Sequence, residues 1–148
     1  WVRSAELTPD AIVSAMRQGE FYASSGVVLK DFGTTDSTLW VSIEPESGVT
    51  YTTEFIGTRM RDGKPGEIGV VLASSTGNRA EYRLPEDVLY VRALVTSSRL
   101  HPNPFAEGDL EMAWVQPIFG PAAAKRGAEP GADDGPTLRR AGARGARR

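Results

Sequence analysis

The order of apolar and polar residues divides the chain near Gly26. Before that point Ile12, Ala15 and Met16 recur at helical spacing, a stripe expected to face a core. The signals around them define the helix. Thr8 offers a hydroxyl to the free amides, Pro9 suits the first helical position, Asp10 complements the positive end of the dipole, and Gly19 supplies the stop. From Val27 the period becomes two. Leu39, Val41 and Ile43 alternate with Thr38, Trp40, Ser42 and Glu44, and after a turn at Pro45 to Gly48, Tyr51, Thr53 and Phe55 alternate with Thr52, Glu54 and Ile56. The two runs are expected to pair as a hairpin whose second strand reaches Gly57.

Further along, Asp62-Gly63 and Pro65-Gly66 punctuate a loop, and Ile68 to Ala73 forms a short apolar strand ended by Ser74, Ser75 and Thr76. A second hairpin is expected to follow. Arg79, Glu81 and Arg83 alternate with Ala80, Tyr82 and Leu84, the pattern of a peripheral strand with one wet face. Val88 to Val95 is apolar on both faces apart from Arg92 and reads as a central strand covered from two sides. Pro102 and Pro104 lack amide donors, which makes Ser97 to Asp109 a loop, and Glu111 to Gln116 is a last strand ended by Pro117. The fold class expected is mainly β with one N-terminal helix: an antiparallel β-sandwich or partly open barrel of about seven strands. Beyond Gly120 the only large apolar residue is Leu138, so residues 121–148 are expected to be a disordered basic tail.

Composition narrows the function classes. The chain has 148 residues, 40% of them hydrophobic, enough for one core. It has no cysteine, which excludes a disulfide framework and a thiolate zinc site and leaves the compartment open. No apolar run is long enough to span a bilayer. From Pro121 onward seven lysines and arginines face three acids, although the whole chain carries a net charge of -2. The body is therefore acidic, a poor surface for nucleic acid.

Candidate chemistry is sparse. His101, in Leu-His-Pro-Asn-Pro-Phe, is the single histidine and the one candidate metal ligand; an enzyme built on it would need Glu107, Asp109 or Glu111 to converge with it. Ser24 and Ser25 precede Gly26 but lack the Gly-x-Ser-x-Gly elbow, so turn chemistry accounts for them better. No phosphate-binding glycine loop is present. Trp40, Tyr51, Tyr90 and Trp114 would form a sugar-stacking platform only if several were exposed on one sheet, and their alternating positions favour packing.

Longer runs carry a resemblance. Leu7 to Val27, LTPDAIVSAMRQGEFYASSGV, with Trp1-Val2 before it and VLYVRALVTSSRLHPNPFAEGDLEMAWVQP after it, resembles the C-terminal part of PHP-type metal-dependent hydrolases of the CehA/McbA-like kind, the family named for polymerase and histidinol phosphatase domains. The most specific matches are Gly19, Phe21, Tyr22, Ser25 and Gly26, then Ala113, Trp114, Gln116 and Pro117. The resemblance implies a parent phosphoesterase whose divalent metals, zinc or manganese, activate water. Family ligands of the His-x-His and Asp-x-His type match no residue of this chain.

The resulting expectation has three parts. Residues 1–26 are a helix and a strand resembling the end of a PHP catalytic domain, 27–120 an accessory β-sandwich-like domain, and 121–148 the tail. Because the chain opens on Trp1, the expected partner is a missing N-terminal catalytic domain of the same polypeptide, with Phe21, Tyr22, Ser24 and Ser25 packing against it or lining its cleft. No catalytic residue, cofactor or metal site is expected in the chain itself. The alternative is a stand-alone β-sandwich recognising a glycan or a protein through Trp40, Tyr51 or Trp114.

Overall fold

The structure, a computed structural model, describes residues 1–35 and 37–127. Helix α1 (Pro9–Arg17) is followed by strands β1 (Tyr22–Ser24), β2 (Leu29–Thr34), β3 (Thr38–Ile43), β4 (Tyr51–Arg61), β5 (Lys64–Pro65), β6 (Val70–Thr76), β7 (Arg79–Arg83), β8 (Val88–Leu100), β9 (Leu110–Val115) and β10 (Ile118–Phe119), then helix α2 (Pro121–Gly127). The start of α1 follows its signals: Thr8 Oγ1 accepts the Ala11 amide at 3.3 Å and Pro9 opens the first turn. Its stripe behaves differently from expectation. Ala15 is the buried side chain of the helix, whereas Met16 is 47% exposed.

Two antiparallel sheets pack face to face. The larger runs β1-β9-β8-β4-β5, with β6 also beside β4 and β10 also beside β8; the smaller is β2-β3-β7. Among the described residues no ladder joins them, so the molecule is a sandwich and not a barrel. Leu39, Val41, Ile43 and Phe32 from the smaller sheet meet Tyr51, Phe55, Val91, Ala93, Val95 and Ala113 from the larger one in a single core. The six strands delimited by their period are present as β3, β4, β6, β7, β8 and β9, and the strand expected within residues 1–26 is β1. Of the others, β5 and β10 have two residues each, too few to show a period.

Both expected hairpins are corrected. β3 pairs with β2 and β7, whereas β4 pairs with β5, β6 and β8, so the chain crosses between sheets at Glu44 to Thr50. The inward stripes Leu39-Val41-Ile43 and Tyr51-Thr53-Phe55 both serve the core from opposite sheets. Period two fixes which residues face inward but leaves the partner strand undetermined. Likewise β6 stays on β4 while β7 joins β3, the crossing made at Gly77 and Asn78. Asp62-Gly63, at φ 48° and 73°, forms a two-residue hairpin turn that folds β5 back on β4.

β8 lies between β4 and β9 as its apolar run implies, yet only one of its faces is fully buried: Val91, Ala93 and Val95 point inward and Arg92 is exposed. Its ladder continues to Leu100 opposite Leu110, so the connecting loop is shorter than the prolines alone suggest. β7 is an edge strand, with Ala80 inward between exposed Arg79 and Glu81. Pro121–Gly127, the start of the stretch read as a tail, form α2, with Ala122 buried. The remainder of that stretch, 128–148, lies outside the described residues. No helix among the described residues is long and apolar enough to cross a membrane.

Candidate functional site

The N-terminal corner brings polar and aromatic groups of both sheets together. Trp1 to Arg3 run antiparallel to Glu20 to Tyr22: Trp1 and Tyr22 exchange backbone bonds at 2.9 and 3.0 Å, and the Arg3 amide donates to the Glu20 carbonyl at 2.8 Å. This strap extends the larger sheet past β1. Arg3 then spans the gap to the smaller sheet. Its guanidinium meets Glu20 Oε2 at 3.3 Å, pairs with Asp31, donates to the Phe32 carbonyl at 2.7 Å and lies 4.5 Å from the centre of the Phe32 ring.

Beside Arg3 opens a groove of about 380 Å³, walled by Glu20, Thr34, Trp40 and Gln116 among others. Trp40 lies across Gly33, where an added Cβ would come within 2.9 Å of the indole. A smaller hollow of about 160 Å³ sits between Trp1, Tyr22 and β2. Arg3, Glu20 and Gln116 are far apart in sequence; Gln116 falls in the Ala113 to Pro117 run that carries the resemblance, whereas Arg3 and Glu20 match no motif, so no local signal could single those two out.

Of the residues expected to face a partner, Phe21 is half-buried and Tyr22 turns inward, 5% exposed. The Tyr22 ring stacks on Trp1, with centroids 6.1 Å apart, and meets Phe32 edge-on at 5.7 Å. Burial raises the Tyr22 pKa above the ordinary tyrosine value, opposed by the Leu29 amide that donates to its hydroxyl. The serine hydroxyls are engaged in backbone bonding. Ser24 Oγ donates to the Val27 carbonyl at 2.6 Å and accepts the Gly26 amide at 3.0 Å, and Ser25 Oγ accepts the Met112 amide at 3.0 Å.

His101 is held by its own loop: Nδ1 accepts the Asn103 amide at 3.1 Å, and its backbone amide donates to the Asp109 carbonyl at 2.8 Å. Asp109 Oδ2 accepts the Ala106 amide at 2.8 Å, and Glu107 is exposed. Among the described residues no three histidine or acidic side chains converge as a metal site would require. Tyr51 is buried, its hydroxyl accepting the Glu46 amide at 3.2 Å. Trp40 lies on the outer face of the smaller sheet, whereas Trp114 and Tyr90 lie on that of the larger, so the four rings form no common platform.

Several apolar side chains of the same N-terminal segment are left in solvent. Trp1 is 68% exposed, Leu7 95% and Val13 46%. Comparison with known proteins finds no matching family model, curated protein or solved structure.

Proposed function

We propose that this chain is the C-terminal accessory region of a PHP-like metal-dependent hydrolase of the phosphoesterase type, without catalytic activity by itself. In this reading the metal-bearing catalytic part packs on the corner formed by Trp1, Leu7 and α1. The observation that carries it is the group of solvent-exposed Trp1, Leu7, Val13 and Met16 in the segment whose sequence resembles the end of the catalytic domain. An amphipathic helix in which Ala15 is the one fully buried side chain leaves apolar area for another surface. Zinc or manganese would be held by that catalytic part, since the resemblance brings no family ligand to any residue here.

The test compares two polypeptides, residues 1–148 and the product of the complete reading frame, on an activated phosphodiester with added manganese or zinc. The expected result is turnover by the longer protein only, with His-x-His and Asp-x-His motifs encoded upstream of Trp1. Turnover by residues 1–148, or a reading frame without those motifs, overturns the proposal.

A further inference from the structure

Sheet edges are where a β-protein meets other chains, because an edge strand presents unpaired amides and carbonyls, and charges, prolines and bulges normally guard it. Most edges of this sandwich are guarded. β2 carries exposed Lys30 and Asp31 and a register shift between Leu29 and Asp31; β7 carries Arg79, Glu81 and Arg83; β5 is a two-residue strand of Lys64 and Pro65. β1 is covered by the Trp1 to Arg3 strap. The two remaining edge strands carry neither a charge nor a proline: the two-residue β10, which pairs only with β8, and the longer β6, Val-Val-Leu-Ala-Ser-Ser-Thr, which pairs only with β4. Its flank is apolar as well, with Ile68 77% and Val71 52% exposed.

Which backbone groups are free follows from the ladder. The Gly77 amide donates to the Tyr51 carbonyl at 3.0 Å, and the register sets Thr53 opposite Ser75 and Phe55 opposite Ala73. By antiparallel alternation Ser75 and Ala73 turn their backbone groups toward β4, while Ser74 and Thr76 turn theirs outward. The register shift at Leu72 bends the first half of the strand away, so the straight template is Ala73 to Thr76.

We propose that β6 is an interface strand through which two copies of this chain pair antiparallel, about a two-fold axis at Ser75. The axis sets Ser74 of each copy opposite Thr76 of the other, so both outward donors and both outward acceptors are matched twice. The ends favour the same arrangement. The first charged residue before β6 is Glu67 and the first after it is Arg79, both exposed and both outside the ion pairs of the described residues. Antiparallel copies direct the acidic end of one toward the basic end of the other, whereas parallel copies would align like charges. Short hydroxyl side chains at Ser74, Ser75 and Thr76 place no bulky or charged group in the way.

Sedimentation equilibrium on residues 1–148 up to about 1 mM, the range in which a small interface associates, is expected to show a monomer-dimer equilibrium. Ser74→Lys, on an exposed edge position, should leave the circular dichroism spectrum unchanged and weaken association about tenfold or more. In the cysteine-free background, Ser75→Cys should cross-link copies on mild oxidation faster than Glu81→Cys on the guarded β7 edge. A wild-type monomer throughout the range, association untouched by Ser74→Lys, or equal cross-linking at the two positions overturns the proposal.

Discussion

The Tyr22 hydroxyl accepts the Leu29 amide at 3.1 Å, tying the last strand before Gly26 to the first strand after it. Tyr22 belongs to the larger sheet and Leu29 to the smaller, so this one bond bridges the sandwich where the chain passes between layers. Both residues are buried. Tyr22→Phe keeps the ring against Trp1 and Phe32 but leaves the Leu29 amide without its acceptor, an expected loss of about 1–3 kcal/mol in urea unfolding. The pH profile gives a second check. Burial raises the tyrosine pKa in the folded state, so its contribution is complete below the ordinary value and is lost as pH rises through the folded one. The gap between wild type and Tyr22→Phe should therefore narrow in strongly alkaline solution.

Thr53 occupies an inward position of β4 between Tyr51 and Phe55 and is fully buried, and its hydroxyl has no hydrogen-bond partner among the described residues. A buried hydroxyl without a partner costs free energy that an apolar group of the same shape does not. Thr53→Val should raise stability by about 1 kcal/mol with an unchanged denaturant slope. Equal or lower stability would show that the site does not leave the hydroxyl unpaired.

Arg59 and Asp87 form a two-bond ion pair, Nε to Oδ2 and Nη2 to Oδ1, each 2.9 Å, at the far end of β4. The hydrogen bonds from Arg59 hold the Asp87 carboxyl below its ordinary range. A depressed carboxylate contributes stability above its unfolded pKa and loses it as pH falls through the folded value. The side chains are 46% and 41% exposed, so screening limits the effect. Asp87→Asn is expected to cost at most about 1 kcal/mol at neutral pH, less in high salt and nothing in strong acid, measured by thermal melts across pH.

Much of the β-architecture is legible because it is written locally. The alternation in Thr38 to Glu44 fixes which side chains of β3 face the core, the Thr8-Pro9 pair fixes the start of α1, and Asp62-Gly63 marks a turn. Strands of two residues such as β5 and β10 are illegible, having too few positions to repeat a period. Met16 misleads for a related reason. Helical spacing shows that Ile12, Ala15 and Met16 share a face, but not whether anything packs on it.

By itself the sequence determined a mainly β chain with one capped helix, an inward face for each longer strand, and few candidate chemical groups. Only the tertiary structure decided that β3 and β4 lie in different sheets, that Arg3 reaches Phe32, and that β6 is left at an unguarded edge. The physical reason is range. Side-chain direction alternates along a strand whatever its neighbours, whereas strand pairing and the meeting of distant residues depend on how all the apolar faces bury one another at once.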